Sequence, residues 1–68
     1  MDHVRVIHHH ENDSWWAESP DLPGWFAAAD TYAEAHQLAE EGVRFDLERD
    51  DVTVEHFVPA GDTAAQAA

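Results

Sequence analysis

Cysteine is absent from the 68 residues, so neither a disulfide framework nor a cysteine-based zinc site can staple a chain of this size. Basic residues are nearly absent too: Lys+Arg 3 stand against Asp+Glu 15, a formal net charge of -12 at pH 7. A field of that sign repels nucleic-acid phosphates, which argues against direct nucleic-acid binding, and it speeds encounter with a basic protein. The same acidity serves solubility, and composition does not choose between the two. No apolar run approaches the ~20 residues of a membrane span. The N-terminal segment, with Asp2, Arg5 and Glu11 around a short apolar stretch, has no signal-peptide core. The expectation is a cytoplasmic protein. A chain this short holds one domain and hides only about 60% of its unfolded surface on folding. Its core is thin, and self-association or a partner is the expected compensation.

What is present reads as four strands and one helix. Val4, Val6 and His8 alternate with His3, Arg5 and Ile7, the period of a strand running to about His9. Glu11-Asn12-Asp13-Ser14 is rich in turn formers and leads into Trp15-Trp16-Ala17-Glu18, so a hairpin is expected. Pro20-Asp21-Leu22-Pro23-Gly24 interrupts the pairing: each proline fixes φ and lacks an N–H, and Gly24 can take a left-handed conformation. A short third strand is expected over Trp25 to Ala28.

Thr31 and Glu34 have the spacing of a capping box, which starts a helix. Ala35, Leu38, Ala39, Gly42, Val43 and Leu47 recur at helical spacing, and the helix is expected to end near Arg49. Gly42 in that apolar stripe costs about 1 kcal/mol relative to Ala, which implies that the helix backbone comes close to the sheet there. Val52, Val54, His56 and Val58 then alternate with Thr53, Glu55 and Phe57 as a fourth strand. The expected architecture is α+β, a β-β-β-α-β two-layer sandwich with one helix on one face of a single sheet. Residues 1–59 form the domain, and 60–68, without periodic bulky residues, are expected to be a disordered tail.

The run from Trp15 through Pro20-Asp21-Leu22-Pro23-Gly24 to Phe26, followed by Asp30-Thr31 and a helix with Glu34, Ala35 and Ala39, resembles the N-terminal domain of HicB antitoxins. The resemblance covers roughly residues 2–58. It implies a partial ribonuclease-H-like sheet of order 3-2-1-4 and an antitoxin that neutralises a HicA-like toxin, a small basic RNA-cleaving protein, by occluding its RNA site. The acidic charge suits such a partner. Trp25 stands where the family often has Cys or a small residue, so the packing after the turn is expected to differ. The chain ends ten residues after Val58, where antitoxins of this type often continue into a DNA-binding segment, so autoregulation through DNA is not expected. The alternative is a stand-alone homo-oligomeric binding module without a toxin partner.

Catalysis is not expected. Ribonuclease-H chemistry needs a metal-binding carboxylate in the middle of the first strand, and Val4-Arg5-Val6-Ile7-His8 offers none. No cofactor is implied. His8, His10 and His56 are the weak metal candidates, since His8 and His10 share a strand face. A polar strand end entering a turn explains these histidines with less, because an ion site needs rigid supporting groups. Adjacent Trp15 and Trp16 must point to opposite faces, one into the core and one outward. The outward one is either an interface anchor or surface cover. Trp15, Trp16, Glu18, Asp21, Glu40 and Glu41 are the candidate partner-binding residues, although acids on a helix usually form just a solvated face. Pro20 to Gly24 with Thr31 and Glu34 are the structural motif.

Overall fold

The computed structural model describes residues 3–59. Strand β1 spans His3–Glu11, β2 Ser14–Glu18 and β3 Phe26–Ala29; helix α1 spans Tyr32–Leu47 and strand β4 Thr53–Phe57. The strands form one sheet of order β3-β2-β1-β4, with β1 antiparallel to β2, β2 antiparallel to β3, and β1 parallel to β4. The helix carries the chain from one sheet edge to the other and covers one face. This is the expected two-layer α+β sandwich in the expected order. The tail expected over 60–68 lies outside the described residues.

The hairpin explains why β1 outlasts its expected end at His9. Glu11 pairs with Ser14, leaving a two-residue loop in which Asn12 (φ 48) and Asp13 (φ 68) are both left-handed. Such a loop matches the strand twist, and Asn and Asp tolerate it, so pairing persists to the turn. Strand β3 begins at Phe26 instead of Trp25, because the Trp25 N–H is held by Leu22 O at 3.0 Å in the preceding turn.

Thr31 caps α1 from an extended conformation and accepts from the Glu34 N–H at 3.2 Å. The Glu34 carboxylate accepts from the Thr31 hydroxyl at 3.3 Å and does not reach back to the cap N–H. The helix stops at Leu47, short of the expected Arg49, because Glu48 turns left-handed (φ 55) and the Arg49 N–H closes onto Arg44 O at 3.1 Å. A similar contraction puts the core valine Val52 just before β4.

The buried core is small and made of short side chains: Val4 and Val6 of β1, Ala17 of β2, Ala39 and Val43 of α1, and Val52 and Val54 around β4. Leu22, Trp25 and Leu47 close its rim. Gly42 answers a close approach, made by a side chain from the turn before β3 and not by the sheet as expected: a Cβ there would lie 3.3 Å from Trp25 Nε1. The tryptophan after the turn glycine thus packs on the one helix position without a side chain. The largest fully buried side chain is His8, so polar groups continue the inner layer where the valines stop.

Gly24 has φ +90 with open space around its Cα, so its cost to other residues is conformational and not steric. Gly24→Val is expected to lose about 1–2 kcal/mol. That loss lowers the melting temperature by roughly 4–8 °C per kcal/mol in a domain of this size. Thermal unfolding followed by circular dichroism checks it, with Gly24→Asn, which tolerates the left-handed region, losing less.

Candidate partner-binding surface and histidine layer

Along β1 the inward positions run Val4, Val6, His8, His10, so one strand face changes from aliphatic to imidazole halfway along. The facing elements change with it. Tyr32, His36 and Glu40 rise from successive turns of α1, while β4 contributes His56 and β2 contributes Trp15. The rings form a continuous layer: His8 meets Tyr32 edge-on at 4.9 Å, His36 stacks on His56 at 3.6 Å, and His10 stacks on Trp15 at 4.4 Å.

Hydrogen bonds string this layer together. His8 Nε2 lies 2.8 Å from His56 Nδ1, and His56 Nε2 lies 2.6 Å from Glu40 Oε2. Arg44 Nη1 donates to Glu40 Oε1 at 2.6 Å, and its Nη2 donates to Val52 O at 2.9 Å. Burial pushes the His8 pKa down to about 4, with the neighbouring His56, His36 and His9 adding to the shift. His8 is therefore neutral at neutral pH. Burial pushes the Glu40 carboxyl up, but hydrogen bonds from His56 and Arg44 outweigh it and hold the group below its usual range. An ionised Glu40 requires a proton on His56 Nε2. A neutral His56 then accepts at Nδ1 from His8 Nε2–H, which leaves His8 Nδ1 buried without a partner.

The opposite sheet face has no helix over it. Ile7, Trp16, Phe26 and Phe57 occupy its outward positions, with Phe26 67% and Phe57 46% exposed. Trp16 stacks on His9 at 4.3 Å, and His9 Nε2 reaches Glu18 at 2.8 Å. Arg5, Ile7, Pro20, Phe57 and Pro59 line a shallow groove of about 250 Å³ on this side. Glu11, Glu18 and Glu55 are exposed around these apolar groups.

Residues 3–67 match the family described as "HicB_like antitoxin of bacterial toxin-antitoxin system". The chain belongs to that family. No curated protein and no solved structure shows significant similarity to it. Family membership makes the HicB-like chain an antitoxin of a toxin-antitoxin system, with a toxin as its counterpart. No helix among the described residues is long and apolar enough to cross a membrane.

The candidate partner-binding residues of this HicB-like antitoxin do not converge on one patch. Trp16 and Glu18 lie on the outer sheet face, while Trp15 points inward against Tyr32. Glu41 is exposed on α1, across the thickness of the sandwich. Glu40, adjacent in sequence, turns into the histidine layer. Of the three metal candidates, His8 and His56 are hydrogen-bonded to each other and His10 is stacked on Trp15. His8 is not the exposed strand end that its position before a turn suggested; it has 0% exposure, because β1 continues past it under α1. His36 was missed. Its spacing from Glu40, one helical turn, was the signal available in the sequence.

Asp21 belongs to the fold as much as to the surface. Its carboxylate accepts from the Arg5 backbone N–H at 2.9 Å and from the guanidinium at 2.8 Å, tying the Pro20–Gly24 turn to the flank of β1. The side-chain bond to Arg5, then the backbone bond, hold its pKa down to about 2 from 3.8. The sign follows from linkage: this stabilisation is complete above pH 3.8 and is lost as pH falls through about 2. In Arg5→Gln the Asp21 carboxyl is expected to titrate closer to its ordinary value, because the guanidinium bonds are gone. Carboxyl carbon NMR titration of the two proteins checks it; an unmoved midpoint would assign the shift to the backbone bond.

Proposed function

We propose that the chain neutralises a HicA-like RNA-cleaving toxin by binding over the toxin's RNA site. The family match over residues 3–67 carries this reading, since it makes the counterpart a toxin. The charge of -12 supports the finer statement, because a protein that grips RNA presents basic groups, which an acidic surface attracts. Action is by occupation in the cytoplasm, where messenger RNA is cut, and needs neither catalysis nor a cofactor.

The uncovered sheet face is the better docking surface. It combines apolar anchors, Trp16, Phe26, Ile7 and Phe57, with a rim of Glu11, Glu18 and Glu55, the arrangement of an apolar centre and a polar edge typical of interfaces. Trp16 is already held by His9, so little freedom is lost when a partner covers it. Glu41 on α1 contributes to the long-range field and not to this contact. A second reading, a homo-oligomer that joins through β3 or β4, draws support from Phe26 and Phe57, exposed on the two edge strands. Light scattering of the isolated chain tests it: a monomeric mass at all concentrations would end it.

Co-expression of the chain is expected to rescue cells from a cognate HicA-like ribonuclease, and the two proteins to co-purify. Association should slow steeply with salt, while dissociation, set by the apolar centre, changes less. Trp16→Ala should raise the off-rate roughly 30-fold, about 2 kcal/mol, as for an interface hot spot. Trp15→Ala should act instead on stability. Surface plasmon resonance against the cognate HicA-like ribonuclease reads both rates. Absence of retention at low salt would sink the antitoxin-by-occlusion reading.

A further inference from the structure

Three potential metal ligands come together where α1 meets β4. His36 and Glu40, at i and i+4, face the same side of the helix, and His56 lies opposite on β4. One ligand atom from each lies within 4.8 Å of the other two. Two of the three are held by neighbours that leave a ligand atom available. The Arg44 guanidinium holds Glu40 by Oε1, leaving Oε2 aimed at His56. His8 holds His56 at Nδ1, leaving Nε2 aimed at Glu40. The third, His36, is half-buried and makes ring contacts with Tyr32, His8 and His56, yet its nitrogens make no hydrogen bond among the described residues.

We infer that His36, Glu40 and His56 form a binding site for one divalent transition-metal ion of the zinc or nickel class, clamping α1 to β4. Two imidazoles and a carboxylate are the donor set such ions take, with a water completing four-coordination. Bonds of ~2.1 Å place tetrahedral donors ~3.4 Å apart, so the His56–Glu40 pair opens from 2.6 Å while rotation of the His36 side chain brings its nitrogen closer. The ion replaces the short His56–Glu40 hydrogen bond. The His56 proton then resides on Nδ1 and the His8 proton moves from Nε2 to Nδ1, so that His8 Nε2 accepts from His56, the supporting bond that orients a ligating imidazole. Arg44 adds an opposing positive charge beside Glu40, so the affinity is micromolar and not tighter. The chain's charge of -12 raises the local concentration of cations. A core of valines and alanines with no disulfide is the setting in which such a clamp adds most to stability.

The test uses the whole chain, stripped with a chelator and titrated with Zn²⁺ by calorimetry at neutral pH. One equivalent is expected to bind with micromolar Kd and, at hundredfold excess over Kd, to raise the melting temperature by roughly 10–20 °C. His36→Gln, which breaks no hydrogen bond, should weaken binding by about tenfold or more, and Glu40→Gln likewise. His3→Gln, His9→Gln and His10→Gln should leave it within about twofold. Glu40→Gln also disturbs the bonds to His56 and Arg44, so the unaltered chain supplies an independent readout. Its His36 and His56 ring resonances should shift on adding Zn²⁺ while those of His3 do not. Binding retained in His36→Gln and lost in His9→Gln or His10→Gln would move the ion to the strand histidines. No binding of Zn²⁺ or Ni²⁺ below millimolar concentration would leave the cluster a hydrogen-bonded packing layer. Either result overturns the proposal, and neither bears on toxin binding.

Discussion

A histidine with no exposed surface sits on one of the two inner strands of this small sheet, and the way its ring is accommodated organises the rest of the molecule. A buried polar group costs free energy unless it is hydrogen-bonded. His8 hands this requirement to His56, His56 to Glu40, Glu40 to Arg44, and Arg44 to the carbonyl of Val52. The chain of bonds thus joins β1, β4, α1 and the segment between α1 and β4. In a domain whose aliphatic core is short valines and alanines, a satisfied polar network supplies geometric definition that packing alone would supply weakly. The one atom left over, His8 Nδ1, is where the network is incomplete.

The same layer divides labour between the two faces of the sheet. On the covered face the side chains are committed to one another, and even an acidic residue such as Glu40 is drawn inward. On the other face Ile7, Trp16, Phe26 and Phe57 have no helix to cover them, so part of the apolar area that a thin sandwich fails to bury lies there, while Leu38 and Phe45 are exposed on α1. A small acidic antitoxin that must meet a toxin can use that face without disturbing its own core. Hydrogen-bonded polar groups inside and uncovered apolar groups outside are kept apart by one thickness of sheet.

Much of the architecture was legible in the sequence, because period-two alternation, the Pro20–Gly24 interruption and the Thr31 cap are local signals. Each is set by backbone chemistry within a few residues, and the resemblance carried by Trp15 to Ala39 gave the strand order. The boundaries were less legible. Left-handed Asn12, Asp13 and Glu48, none of them glycine, decide where β1 turns and α1 stops.

The candidate site divides along the same line. By itself the sequence determined that Trp15 and Trp16 face opposite ways and that His8 and His10 share a face, because alternation along a strand requires it. It likewise determined the excess of negative charge. Only the tertiary structure decided which tryptophan is outward, that Glu40 turns in while Glu41 stays out, and that His36 and His56, twenty positions apart, stack ring on ring. The reason is physical: a periodic pattern fixes relative directions along one element. Which direction is inside depends on how the helix crosses the sheet, and that is settled only when the two layers pack.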